Sequence, residues 1–168
     1  HGHKTAEQIA GIPVLRTTFE AFAGPGPFQV IMMSQVLEHI ADLDGWIQKA
    51  FAFLASGGIL TIAVPHFNNI IRRLAGTRDP YITPPRHLQY FTRASFRALL
   101  LRHRFGPILI RGVSRLGPQT LFRRLPWLPR TRTAARWVRA IQDFPVKVFG
   151  AAGWPIMLHV YAVKPGGT

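Results

Sequence analysis

The chain has 168 residues, a net charge of +14 and an apolar content of 48%, and it contains no cysteine. A chain of this length buries about 70% of its unfolded surface, enough for one domain with a hydrophobic core, and the apolar content excludes a disordered protein. The lack of cysteine excludes disulfides and thiolate-bound metals, and no apolar run approaches the roughly 20 residues that a membrane-spanning helix needs.

Residues 4–10 read as the end of a helix closed by Gly11, and the next two predicted elements are strands. Residues 13–17 form a short, largely apolar run, and a Gly-Pro-Gly-Pro turn follows a few residues later. Residues 28–34 (Phe-Gln-Val-Ile-Met-Met-Ser) are nearly all apolar, which is typical of a parallel strand that is buried on both faces. We therefore expect a strand over each of these two ranges.

A helix and a third strand are predicted next. Asp42 precedes apolar residues at helical spacing up to residue 54, and its side chain is a good acceptor for the first free N–H groups of a helix. The pair Gly57-Gly58 predicts the end of this helix. Residues 59–64 are again a continuous apolar run and predict a strand.

A long loop over residues 66–91 precedes the last predicted elements. Thr92 is the expected cap of a helix, and residues 108–113 and 156–163 predict two further strands. These two strands have no crossover helix of regular length between them and can therefore pair antiparallel, while the segment 118–153 reads as an inserted helical segment. The alternation of buried strands with helices predicts an α/β fold.

Several short motifs, each weak alone, occur in a defined order. They are residues 28–31 (Phe-Gln-Val-Ile), 36–40 (Val-Leu-Glu-His-Ile), 54–60 (Leu-Ala-Ser-Gly-Gly-Ile-Leu) followed by Pro65, 85–92 (Pro-Arg-His-Leu-Gln-Tyr-Phe-Thr) and Arg104-Phe105. Their order and spacing resemble the class I S-adenosylmethionine-dependent methyltransferases. The resemblance covers residues 5–113 and the final strand, and it implies a Rossmann-like sheet and S-adenosylmethionine as cofactor.

The resemblance further implies that residues 1–168 form a single, incomplete domain with strands 3 to 7 of the family's seven. The family's first strand, with the Gly-x-Gly turn that lets the backbone approach the cofactor, has no match in this chain, nor has its second strand. In the family's sheet the first strand lies between the third and the fourth, so the strand over 28–34 is expected to have a free edge. We expect the chain alone to be poorly stable, inactive and unable to bind the cofactor tightly.

By position, the resemblance assigns two stretches to the cofactor. Thr18, Phe19 and Glu20 follow the third strand, and Thr18 stands where the family usually has an Asp that contacts the adenine amino group. An ordinary exit from strand to loop is the alternative for these three residues. Ser34 and Gln35 follow the fourth strand, at the edge where open α/β sheets bind ligands, and would flank the methionine part of the cofactor.

A metal site is the most specific chemical hypothesis. Gln35, Glu38 and His39 share one face if a helical turn begins after Ser34, because positions i, i+3 and i+4 are neighbours. Some family members carry Glu-x-x-Glu-His there and a later histidine, and hold a divalent metal; the resemblance places His87 at that later position. A cation such as Mg²⁺ prefers carboxylates, so Gln35 weakens the case. The simpler interpretation is that Glu38 and His39 cap and pack the turn.

Without a metal, the reaction needs a general base or only a well-oriented acceptor, because methyl transfer from a sulfonium is an in-line displacement. His87 and His39 are the candidate catalytic bases, and His66 is a third. Residues 66–69 are expected to line the acceptor side of the site.

The positive charge is unevenly distributed. Sixteen of the 17 arginines lie between Arg72 and Arg139, where Asp79 is the only acid. Such a field attracts phosphates, anionic lipids or nucleic acid, or it is an ordinary solvated basic surface. Within 118–153 the arginines recur at helical spacing near Trp and Phe, which suits a lid over the substrate pocket, an anionic membrane surface or nucleic acid.

Two functions therefore remain. The first is methyl transfer from S-adenosylmethionine to an oxygen of a small molecule or of an envelope-glycan or lipid-linked acceptor, as part of a longer cytoplasmic chain with peripheral membrane contact through 118–153. The alternative is a non-catalytic basic module that binds an anionic membrane or nucleic acid; nucleic acid is the weaker of these, because no recognisable nucleic-acid module is present. A Gly-x-Gly-x-Gly pattern upstream in the same reading frame would favour the first.

Overall fold

The computed structural model describes residues 11, 14–69, 72–73, 76–79, 81–113, 131, 133, 136 and 155–166. The predicted insert over 118–153 thus lies outside the described residues, apart from three single positions. In chain order the elements are β1 (Phe28–Ser34), a 3₁₀ turn (Leu37–His39), α1 (Leu43–Phe53), β2 (Leu54–Pro65), a second 3₁₀ turn (Gly76–Arg78), α2 (Arg93–Arg102), β3 (Ile108–Val113) and β4 (Met157–Val163).

The four strands form one mixed sheet in the order β1-β2-β4-β3. β1 and β2 are parallel, whereas β4 is antiparallel to both β2 and β3. The α/β class and the antiparallel pairing of the last two strands, both expected from the sequence, are confirmed. Because β1 and β2 are parallel, their carboxyl ends meet at the same edge of the sheet, where open α/β sheets bind ligands.

One face of the sheet packs against both helices and forms the core. α1 contributes Ile47 and Ala50, and α2 contributes Phe96 and Leu100, all fully buried. The alternation along each strand sends every second side chain into this layer, and the buried core residues on the strands are Met33, Leu54, Leu60, Ile62, Val64, Leu158, Val160 and Ala162. The continuous apolar runs thus encode a single core beneath two helices.

Both predicted helix caps are confirmed. The Asp42 carboxylate accepts a hydrogen bond from the backbone N–H of Gly45 at 2.9 Å. Thr92 and Ser95 form a reciprocal capping box, in which each side chain accepts from the backbone N–H of the other at 3.1 and 3.0 Å. These contacts satisfy amide groups that have no partner within the first helical turn, and they fix where each helix leaves the ligand edge.

The predicted boundary between α1 and β2 is wrong. The helix ends at Phe53, and β2 begins at once with Leu54, so that Gly57 and Gly58 lie inside the strand. The register of the β1–β2 pair shifts between Phe28 and Val30, and Gly57 has a φ of 75°, a conformation that favours glycine. The glycines therefore accommodate an irregularity in the ladder and do not end a helix.

The strand predicted over residues 13–17 is also wrong in its described part. Residues 14–17 carry no strand, because β1 is the edge of the described sheet and none of the described strands lies beyond it to offer a ladder. Within the described residues, residues 28–34 thus have the free edge that was expected for them.

The second face of the sheet is apolar and open. Met32 is 76% exposed, Val30 57% and Leu109 50%, and Ile59 and Tyr161 on the intervening strands point to the same side with 39% and 38% exposed. The prediction that β1 is buried on both faces is therefore wrong, because the two helices pack on one face alone. We call these five residues the open sheet face.

Candidate functional site

β1 ends in a sharp turn that places the candidate residues Glu38 and His39 at the ligand edge of the sheet. Gln35 has a φ of 56°, in the left-handed region that is uncommon for a residue with a side chain. Its backbone N–H and its side-chain amide both donate to the carbonyl of Ala63, at 2.9 and 3.1 Å. This double contact to β2 holds the strained backbone, and it places the 3₁₀ turn with Glu38 and His39 directly beyond the sheet.

Glu38 is buried at this edge, with 1% of the residue exposed. Its backbone carbonyl accepts from the N–H groups of Leu88 and Gln89, at 2.7 and 3.1 Å, and so joins the turn to the long loop. In the side chain, Oε1 lies 3.9 Å from Nε2 of His39, whereas Oε2 is buried and has no hydrogen-bond partner. A buried carboxylate oxygen without a hydrogen-bond partner is rare in folded proteins and is a candidate ligand atom for a cation.

The two candidate bases are brought together by the loop. The rings of His39 and His87 have centroids 4.9 Å apart and meet edge-on at 70°. Nδ1 of His39 lies 2.6 Å from the carbonyl of Arg86, and Nδ1 of His87 lies 2.8 Å from the carbonyl of Tyr81. A carbonyl only accepts hydrogen bonds, so each Nδ1 carries a proton, and in the neutral ring Nε2 is left as the basic atom.

Glu38, His39 and His87 thus form one cluster, in which one potential ligand atom from each lies within 4.8 Å of the others. The residues fit a divalent cation, because Glu38 offers an unpartnered buried oxygen and both imidazoles are held through Nδ1 as metal-ligating histidines usually are. Two imidazoles and one carboxylate suit Zn²⁺ or Fe²⁺ better than Mg²⁺, which prefers oxygen ligands. Gln35, the fourth predicted ligand, uses its amide N–H on Ala63.

A second buried carboxylate, Asp79, was not predicted as part of the site, and it supports the cluster of Glu38, His39 and His87. Asp79 is 2% exposed; its Oδ1 accepts from the N–H of Tyr81 and its Oδ2 from the side-chain amide of Asn69, at 2.9 and 2.8 Å. Asn69 in turn accepts from the N–H of Arg72 at 2.9 Å. Asp79 therefore fixes the segment whose Tyr81 carbonyl orients His87. The sequence signal that could have identified Asp79 is its position as the only acid between Arg72 and Arg139.

His66, the third candidate base, follows β2 at the same edge but is packed away. Only 6% of the residue is exposed, and its Nδ1 lies 3.0 Å from the carbonyl of Pro155. Burial lowers the pKa of His66, the hydrogen bond to Pro155 raises it by a smaller amount, and the positive charge of Arg93 lowers it further. The imidazole is therefore held neutral, and its position indicates a structural role.

Residues 18–20, predicted to contact the adenosine, lie against the first turns of α1. The Phe19 and Trp46 rings have centroids 4.8 Å apart, and the indole N–H of Trp46 donates to the Glu20 carboxylate at 2.8 Å. A backbone hydrogen bond and the Trp46 contact lower the pKa of Glu20. Thr18 caps the following turn by accepting from Ala21 at 3.2 Å. The contacts described for this stretch do not reach the histidine pair.

A family model described as a methyltransferase domain matches residues 5–106, which is more than half of the chain. No curated protein sequence matches it. Among solved structures, it is similar to an S-adenosylmethionine-dependent methyltransferase from Archaeoglobus fulgidus (15% identity, TM-score 0.51, 83% of this chain and 61% of that chain) and to YcgJ from Bacillus subtilis (14%, 0.51, 96% and 76%). The cyclase SpnF is also similar (22%, 0.53, 88% and 53%).

These structures share the fold, and the presence of a cyclase among them means that the fold does not by itself fix the reaction. The chain spans 61% of the Archaeoglobus protein and 56% of a Thermotoga maritima S-adenosylmethionine-dependent methyltransferase. The match to the family model includes β1, α1, β2 and α2, and with them the whole histidine cluster. The chain therefore belongs to the methyltransferase domain family.

Proposed function

We propose that this protein transfers a methyl group from S-adenosylmethionine to an oxygen of a small molecule or of an envelope-glycan or lipid-linked acceptor. One observation carries the proposal: a buried carboxylate, Glu38, and two imidazoles tethered through Nδ1, His39 and His87, converge at the ligand edge of a methyltransferase-family sheet. Basic atoms that converge beside the expected cofactor position suit the activation of an acceptor hydroxyl.

The chemistry is an in-line displacement. The acceptor hydroxyl donates to Nε2 of His87, and its oxygen attacks the methyl carbon as the bond from that carbon to the sulfonium sulfur breaks. The sulfur keeps the electron pair and leaves as S-adenosylhomocysteine, while the proton passes to Nε2. His39 is the second candidate base, and Glu38, 3.9 Å from Nε2 of His39, stabilises the positive charge that a proton brings. Orientation of the two reactants supplies much of the acceleration.

The cofactor is proposed to lie across the carboxyl ends of the strands. Ser34 and Gln35 flank its methionine part, since they are the last residue of β1 and the strained residue after it. Thr18, Phe19 and Glu20 contact its adenosine part from the side of α1. Substitution of Gln35 by Ala is expected to weaken S-adenosylhomocysteine binding, because it removes the side-chain contact to Ala63 that helps to hold the turn after β1.

The unpartnered oxygen of Glu38 favours a second role for the same cluster, as the site of a divalent cation. When bound, such a cation lowers the pKa of a coordinated hydroxyl. Glu38, His39 and His87 are the proposed ligands. Thermal melting with and without Zn²⁺, Fe²⁺ or Mg²⁺ tests this directly; an unchanged melting temperature in every cation would remove the metal and leave the histidines as bases.

We further propose that activity needs a longer chain, because β1 has a free edge and the apolar side chains of the open sheet face are uncovered by the described residues. The test is calorimetric titration of S-adenosylhomocysteine into this chain and into one extended upstream in the same reading frame. Binding by the longer chain alone supports methyl transfer by that chain. Binding by neither favours the alternative, a non-catalytic basic module that binds an anionic membrane or nucleic acid.

For the arginine-rich segment 118–153 we propose a lid over the acceptor, with an anionic membrane surface as the second candidate and a cytoplasmic site of action. No described helix is long and apolar enough to cross a bilayer. Flotation with liposomes that contain phosphatidylserine separates the two roles, since a lid predicts no binding at physiological salt, whereas a basic membrane-binding helix predicts salt-sensitive binding.

A further inference from the structure

Two buried donors at the ligand edge lack an acceptor. Among the described residues, the buried side-chain atoms without a hydrogen-bond partner are Oε2 of Glu38, Nε of Arg72 and the hydroxyl oxygen of Tyr90. The first belongs to the histidine cluster. The other two are N–H and O–H groups, and such a group loses its hydrogen bonds to water when it is buried without a partner. Their side chains therefore call for an acceptor that the described chain does not supply.

Both donors belong to side chains that lie next to the ring of Phe67. The guanidinium carbon of Arg72 lies 3.7 Å from the centroid of the Phe67 ring, and the Tyr90 ring lies 5.5 Å from the same centroid. The backbone N–H of Phe67 donates to the carbonyl of Phe91 at 2.8 Å, which holds the two loops side by side. As whole residues Phe67, Arg72 and Tyr90 are only partly buried, whereas Nε of Arg72 and the Tyr90 hydroxyl are themselves buried.

Arg72 has no carboxylate partner among the described residues. The described ion pairs use Glu38 and Asp44 as the acids. The acid that is linked to Arg72 through Asn69 is Asp79, and both of its oxygens are occupied, by Asn69 and by the N–H of Tyr81. Among the described residues, no carboxylate therefore neutralises the charge of Arg72.

The same hydrogen bonds connect the backbone of Arg72 to the cluster of Glu38, His39 and His87. Asn69 accepts from the N–H of Arg72 and donates to Asp79, Asp79 accepts from Tyr81, and the Tyr81 carbonyl accepts from His87. The backbone of Arg72 and the ring of His87 are thus anchored to one hydrogen-bond network.

We propose that Nε of Arg72 and the hydroxyl of Tyr90 bind an oxyanion of the methyl acceptor, either a carboxylate or a phosphate, with Phe67 as an apolar floor beside it. Guanidinium N–H groups and a phenol are suited to anionic oxygens, because charge-assisted hydrogen bonds are about twice as strong as neutral ones. This assignment rests on the proposed methyl transfer and specifies its substrate class as an anionic hydroxyl compound.

The test is an NMR titration of the chain with inorganic phosphate and, separately, with benzoate, in the absence of cofactor. Saturable shifts at Phe67, Arg72 and Tyr90 are expected. Arg72→Gln, Arg72→Lys and Tyr90→Phe are expected to weaken binding at least tenfold, because the lysine keeps the charge but lacks Nε–H. Arg97→Gln, which removes the same charge from an exposed position on α2, is expected to change binding less than twofold.

Tighter binding of phosphate than of benzoate assigns a phosphorylated acceptor, and the reverse assigns a carboxylated one. Equal weakening by Arg97→Gln and Arg72→Gln, or the absence of saturable shifts at these residues, would overturn the subsite. Because no cofactor is present, these outcomes are independent of the S-adenosylhomocysteine titration that tests methyl transfer itself. A melting curve for each variant identifies any that fails to fold, and Tyr90→Phe, which removes one oxygen, then provides the comparison.

Discussion

Replacement of Glu38 by Gln tests the cluster through stability. The carboxylate is 1% exposed, and one of its oxygens has no hydrogen-bond partner. In the metal-free protein we expect Glu38→Gln to stabilise the fold, because the amide has nearly the same shape and no charge to desolvate. An unpartnered buried polar group costs about 1–3 kcal/mol, and more when it is charged.

For a chain of 150–250 residues, 1 kcal/mol shifts the melting temperature by about 2–4 °C. We therefore expect a rise of roughly 2–12 °C for Glu38→Gln, measured by circular dichroism at pH 7 with EDTA. Glu20→Gln is the matched control: it removes the same charge from an exposed carboxylate that already accepts from Trp46, so no rise is expected.

The same pair of proteins then reports on the cation. With Zn²⁺ in excess, the parent chain is expected to gain stability by mass action, because only the folded state assembles the three ligands. Glu38→Gln is expected to lose that gain. If Glu38→Gln melts more than about 2 °C below the parent chain in EDTA, roughly 1 kcal/mol, the expected stabilisation is contradicted. Such a fall would mean that the carboxylate already has a favourable partner.

Thr92→Ala removes the capping box of α2 and is expected to cost about 1 kcal/mol in urea unfolding. Gly112→Ala is expected to cost about 1–3 kcal/mol, because its Cβ would clash with the ring of Pro155; Gly106→Ala, whose Cβ would meet nothing within 4 Å, is the control and is expected to be neutral. The third prediction is a pH dependence. Burial lowers the pKa of His66, so the unfolded chain takes up this proton first as the pH falls below about 6.5, and stability declines there until the folded imidazole also titrates. His66→Asn, which keeps a donor for the Pro155 carbonyl, is expected to flatten melting temperature against pH between 7 and 5; an unchanged slope would assign the decline to other groups.

Local signals predicted the elements that local chemistry determines. The caps at Asp42 and Thr92 are confirmed because a side-chain acceptor beside free N–H groups is a short-range interaction. The start of β2 was not predictable in the same way. Gly57 and Gly58 have the composition of a helix end, but they lie in a strand because pairing with β1, some 30 residues earlier in the chain, decides their conformation.

The residues of the site were predicted from the sequence, but their spatial arrangement was not. The spacing of Glu38 and His39 is local, whereas the approach of His87 depends on a loop that returns almost 50 residues later. The groups that set the tautomers are the carbonyls of Arg86 and Tyr81, and every residue has a carbonyl, so no sequence pattern marks them. Burial of Glu38 and Asp79 likewise follows from tertiary packing.

The open sheet face has a consequence for how this protein behaves in concentrated solution. Among the described residues β1 has no partner strand on its outer side, and this edge, beside exposed Val30 and Met32, is a template for association between copies of the chain. The net charge of +14 opposes that association, because identical chains repel one another before their sheets meet. At 0.15 M salt the Debye length falls to about 8 Å, which screens most of the repulsion. Added salt should therefore drive this very basic protein toward self-association and lower its solubility.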